Sequence, residues 1–99
     1  MTAYAIAQVR IIDPVRYRRY QDAVSPVVTQ FGGRFLSRGA TQAILEGEVP
    51  FDRVVLLEFP DYERSIAFFR SSEYAEAKQY RIGAAVFCCC AIDGTAEKF

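Results

Sequence analysis

The sequence has no histidine. Without an imidazole, Ser-His-Asp and Cys-His nucleophilic catalysis are excluded, as are histidine-ligated zinc, non-haem iron and haem. Acid–base work would fall to carboxylates, tyrosines, lysines or cysteines. Lysine is scarce too: Lys78 and Lys98 are the only two, and Lys98 stands beside the C-terminus. Neither sign of charge is in excess, with 12 Lys and Arg against 12 Asp and Glu. The largest basic group, Arg16, Arg18 and Arg19, lies beside Asp13 and Asp22 and reads as a solvated helix face, so no nucleic-acid partner is expected. The opening MTAYAIAQVR has neither a basic start nor a long apolar stretch. The longest apolar run, IGAAVFCCCAI from Ile82 to Ile92, spans 11 residues, where a membrane helix needs roughly 20. A soluble cytoplasmic protein without a membrane partner is the expectation.

Spaced cysteine pairs are missing as well. The three cysteines are consecutive, Cys88 to Cys90. On a strand only Cys88 and Cys90 share a face, and two thiolates with no third sulfur and no histidine cannot close a tetrahedral site. Adjacent cysteines also make a strained disulfide. They read as small buried hydrophobes, with no metal and no cofactor expected.

What is abundant is apolar surface. Of the 99 residues 52% are apolar or aromatic, above the common range of about 45–50%. A chain this short forms one domain, residues 1–99, and buries only roughly 60–65% of its unfolded surface. The surplus points to a partner surface.

Tyr4 to Ile12 is rich in Ile, Val and Tyr and reads as a strand. Asp13-Pro14 fits a helix N-cap followed by proline at the first helical position. Tyr17, Tyr20, Val24, Val27 or Val28, and Phe31 then recur at helical spacing. Pro26 interrupts the pattern and is expected to kink the helix, and Gly32-Gly33 to end it. RFLSRGATQAILEGE reads as a long second strand with a bulge or bend at Gly39, EGEVPFD as a turn, and RVVLLEF as the clearest strand. A second helix starts near Asp61, Ser71-Ser72 interrupts and caps a further helix, and Gly83 ends it. Ala84 to Ile92 is the last strand, and the tail, 94–99, is expected to be loose.

The order β-α-β-β-α-β with right-handed crossovers gives an α+β, ferredoxin-like plait, a four-stranded antiparallel sheet of order 4-1-3-2 with both helices on one face. The other face does not alternate cleanly to polar. AVFCCCAI is apolar on both sides, and a second copy of the chain covers the open face most economically.

The motifs DPVRYRRY, FGGRFLSRG, ILEGE, RVVLLEFP and FFRSSEYAEAKQYR, in this order and spacing over residues 4 to 92, resemble the bacterial DUF1330 family of the dimeric α/β-barrel superfamily. The resemblance implies a homodimer whose sheets pack face to face into a barrel, and no established reaction. Superfamily relatives include cofactor-free monooxygenases, haem-degrading enzymes, lactone isomerases and ligand-sensing domains. The absence of histidine weighs against the haem branch.

The candidate site residues come from the strands. Arg34 is the first side chain after the glycines and sits on the strand next to the one carrying Glu58. A carboxylate among Val54 and Leu56 needs a partner or a proton. Unpaired and buried, Glu58 would serve as a general acid or base with Arg34 orienting a substrate. Paired, the two are structural or bind an anion. If alternation is unbroken, Arg34, Leu36 and Arg38 share a face, and Arg38 adds a second anion contact. Tyr4, Tyr17, Tyr20 and Tyr80 are candidates to line a small pocket between helices and sheet, with core packing as the alternative. Two readings follow: a cofactor-free enzyme acting on a small anionic or carbonyl-bearing molecule, or a non-catalytic dimeric binding or sensor module.

Overall fold

The computed structural model describes residues 2–94. Within them the chain runs β1 (Ala3–Ile11), α1 (Pro14–Gln30), β2 (Arg34–Arg38), β3 (Arg53–Phe59), α2 (Tyr62–Arg70), α3 (Ser72–Lys78) and β4 (Ala85–Asp93). The strands form an antiparallel sheet in the order β2-β3-β1-β4, the expected 4-1-3-2 read from the other edge. The fold is an α+β, ferredoxin-like plait whose sheet is open, not a closed barrel. The expected loose tail lies, beyond Gly94, outside the described residues.

Local chemistry sets the helix ends. The Asp13 carboxylate accepts from the Val15 and Arg16 amides at 3.1 and 3.2 Å, with Pro14 at the first helical turn. Gly32, at φ 79°, takes the left-handed conformation that stops α1. The helix is continuous through Pro26. Asp61 caps α2 through the Arg64 amide at 2.7 Å, and the Ser71 hydroxyl caps α3 through the Tyr74 amide at 3.0 Å.

Strand alternation sorts the sheet into two faces. In β1, Ala3, Ala5, Ala7 and Val9 are buried toward the helices, while Tyr4, Ile6 and Gln8 are half-buried on the open face. Tyr17, Tyr20, Val24 and Val28 of α1 pack on the first set together with Phe59 and Phe68. Phe59 and Phe68 are 1% and 2% exposed, and burying each contributes roughly 1.5–3 kcal/mol.

Two expectations need correction. The second strand does not run on to Glu48. It ends at Arg38, because Gly39 turns the chain at φ 71° after its amide makes a last 3.2 Å bond to the Val54 carbonyl. Residues 40–52 form no strand, and Pro50, where a returning strand would pair, has no amide proton to offer. The second correction concerns alternation within β2. Phe35 pairs with Leu57 and Ser37 with Leu56, so Leu36 is an extra residue in a bulge. From Ser37 onward every side chain changes face.

Candidate functional site

The sequence candidates fall on opposite sides of the sheet. Arg34 and Glu58 face each other across β2 and β3 on the open face, and the Arg34 Nε donates to Glu58 Oε1 at 2.9 Å. Their side chains keep 69% and 27% of their exposure. Tyr4 pairs in register with Glu58 on the adjacent strand, so it belongs to this same end of the open face.

Tyr17, Tyr20 and Arg38 lie on the helix side. The bulge puts Arg38 opposite Val55 and carries it under α1. Arg38 therefore does not share a face with Arg34, since the extra Leu36 breaks the alternation on which that expectation rested. Its Nη2 donates to the Gln21 carbonyl at 2.9 Å and to the Ser25 hydroxyl at 2.6 Å, and the guanidinium lies 4.1 Å from the Phe35 ring centre. Tyr80 is exposed beyond the end of α3.

A cavity opens between α1 and the sheet. Its inner volume is about 40 Å³, and the space including the open mouth is about 480 Å³. Ala5 and Ala7 form the floor, Val55, Leu57 and Phe35 one side, and Tyr17, Tyr20, Val24, Val28, Phe68, Phe69, Tyr74 and Phe87 the rest, with Gln21 and Arg38 among the polar lining groups. The hollow has a plain cause: two alanines stand on the central strand where the core of a sheet commonly carries larger side chains.

Behind the rings of Tyr20, Tyr74 and Phe87 lies Arg81, which sequence reasoning did not select. It is 8% exposed. Its Nη2 donates to the Tyr74 hydroxyl at 3.2 Å, and its guanidinium stands 3.7 Å from the Phe87 ring centre and 5.2 Å from that of Tyr20. Two signals were available. AYAIAQV places small residues alternately on one strand face, and Tyr74 and Arg81 are two helical turns apart with no acid between them on that side. Burial raises the pKa of both Tyr17 and Tyr20. On Tyr17 the charges of Arg81, Arg53 and Arg38 oppose that rise, and the neighbouring Tyr74 adds to it. Tyr20 is pushed up further by the neighbouring Tyr74. The site is thus a set of protonated phenols and apolar rings in a positive field.

The cysteines are exposed in the single chain and do not pack in its own core. They sit on β4, an edge strand, and the apolar run that suggested burial is instead open surface. The Cys88 thiol lies 3.8 Å from Gln8 Oε1 on the open face. Cys89 turns to the helix side, where partial burial raises its pKa and Arg81 opposes the rise. Among the described residues no three of Cys, Asp and Glu gather where they could hold a metal ion, and no helix is long and apolar enough to cross a membrane.

Solved structures share this fold. A protein of unknown function from Rhodopseudomonas palustris is 22% identical, with 97% of this chain and 84% of that one covered at a TM-score of 0.73. A protein from Thermobifida fusca, described as dimeric, ferredoxin-like and of unknown function, is 13% identical over 94% of this chain and 91% of its own, at a TM-score of 0.63. A dimeric protein of unknown function and ferredoxin-like fold from Bacteroides fragilis is 11% identical over 94% and 96%, at 0.62. None of the curated proteins matches this chain. The model of a domain of unknown function, DUF1330, matches residues 2–95, and the chain belongs to that family.

Proposed function

We propose that this protein is a dimeric small-molecule-binding module whose ligand occupies the cavity between α1 and the sheet. The observation that carries this reading is the cavity itself: a concave, aromatic-lined space with few polar groups, the usual make-up of a small-ligand site. Its inner volume of about 40 Å³ is below the about 150 Å³ that admits a benzene ring, so a single-ring ligand would extend into the open mouth, and the arginine surroundings favour an anionic or carbonyl-bearing one. Glu58 is already paired with Arg34 on the opposite face of the sheet. That pairing favours a structural role for both over an enzyme that uses Glu58 as acid or base. A second copy is the natural cover for the open face, which presents Val86 and Ile92 exposed beside Ile6 and Leu56, and the dimeric state described for similar folds supports it.

The test has two arms. Light scattering is expected to give twice the chain mass of 11.2 kDa, and Leu56→Arg at the centre of the open face to give the single-chain mass. In an NMR titration toluene should shift the amides of Ala5, Ala7 and Phe87 saturably. Ala7→Leu, which fills the floor, should abolish that binding and keep the fold. Saturable binding that survives Ala7→Leu, or none in the native protein, overturns the cavity as the site.

A further inference from the structure

We propose that Tyr74, backed by Arg81, is an acid-group subsite of this cavity, so that its ligand is a single-ring aromatic molecule carrying a carboxylate or another oxyanion. The inference rests on the cavity being the ligand site and adds the chemistry of the ligand's polar end.

Arg81 is the least expected group in the molecule. An arginine that is 8% exposed as a residue loses most of its hydration, and burial of a charge is costly unless a counter-charge or hydrogen bonds replace the water. Among the described residues its ion-pair partner is absent: the carboxylate pairs are Arg18–Asp22 and Arg34–Glu58. Its Nε is buried and has no hydrogen-bond partner. Stacking on Phe87 at 3.7 Å and facing Tyr20 at 5.2 Å offset part of the cost. One polar contact remains, the 3.2 Å bond to the Tyr74 hydroxyl.

That bond has a direction. The guanidinium has only donors, so the Tyr74 oxygen accepts and its own proton is left for a third atom. A hydroxyl that accepts from a cation becomes a stronger donor. Tyr20, beside it, is held protonated by burial first and then by Tyr74, with which it shares a hydrogen bond, so the Tyr74 proton is the one left for a ligand. Tyr74 and Tyr20 both line the cavity. The Tyr74 phenol in front of a buried cation, with Arg38 also in the lining, makes a place for an oxygen that carries negative charge. The flat apolar walls take a ring.

The probes are benzoate, benzamide and toluene, titrated by NMR into the full chain near neutral pH. Benzoate should bind about tenfold or more tightly than benzamide, the scale of a hydrogen bond to a charged group. Tyr74→Phe, which removes one oxygen and keeps the ring, should erase that preference and leave toluene binding unchanged. Arg81→Leu should do the same, and Arg81→Lys should retain part of the preference, a pattern that a purely structural arginine would not produce. If Arg81→Leu does not fold, Tyr74→Phe decides. Toluene and benzamide binding as tightly as benzoate, or a preference untouched by Tyr74→Phe, overturns the acid-group subsite while the cavity stands. No binding by any probe overturns the cavity and the subsite together.

Discussion

Gly32 and Gly33 do different work. Gly32 has φ 79°, a conformation that costs an L-residue about 1–2 kcal/mol. Gly33 has an ordinary backbone, but a Cβ there would stand 2.6 Å from Phe59 Cε1. Gly33→Ala must therefore displace a fully buried ring, and urea denaturation should show a loss of about 1–3 kcal/mol. The pair they lead into is weaker than a desolvated site would be. With Arg34 at 69% side-chain exposure, a double-mutant cycle of Arg34→Ala and Glu58→Ala should give a coupling of at most about 1 kcal/mol. A coupling of about 3–5 kcal/mol would show that both charges are sealed from water in the assembled protein. That Arg34 meets Glu58 was legible, since Gly-Gly fixes where β2 starts and the hairpin sets the pairing. The role of Arg81 was not, because a buried arginine without an acid looks in sequence like any polar residue after a helix.

Among the elements, β1, α1, β3 and β4 could be read closely from periodicity and caps. β2 could not. Ala43, Ile44 and Leu45 carry strand-like side chains, but Gly39 has already left the ladder, and Ile44 and Leu45 are 55% and 89% exposed. Nor does any residue type announce a bulge at Leu36. It arises from how β2 fits the twist of β3, a tertiary matter. On β4 the prediction concerns thiols. With a second copy on the open face, Cys88 and Cys90 should react with a thiol reagent slowly in the native protein and quickly in Leu56→Arg. Cys89, its pKa raised by burial, should lag behind both in the variant. Equal rates in the two proteins would mean that no partner covers this face.

For the whole molecule, the buried phenols set an alkaline limit. Tyr17 and Tyr20 hold their protons in the folded chain above the value of 10.0 at which unfolded tyrosine releases them. Below that pH both states are protonated and the stability is fully present. Above it the unfolded chain ionises first, and stability falls as pH rises. Melting temperatures should thus drop steeply above about pH 10, and less steeply in Tyr20→Phe. A pH-independent melting temperature up to that range and beyond would show the phenols to be solvated. The topology followed from element order and handedness alone, whereas the cavity depends on which strand face the alanines of β1 present, visible only once the helices are placed. The bulge at Leu36 also bears on how such proteins diverge. Length changes are usually tolerated in loops, yet here a paired strand carries one extra residue and the ladder continues on both sides of it. Deleting Leu36 would close the bulge, leave Phe35, Ser37 and Arg38 opposite Leu57, Leu56 and Val55, and keep Arg38 on the cavity side with the sheet order intact. Descendants of one ancestor can in this way change length inside a paired strand and keep the residues that line the site.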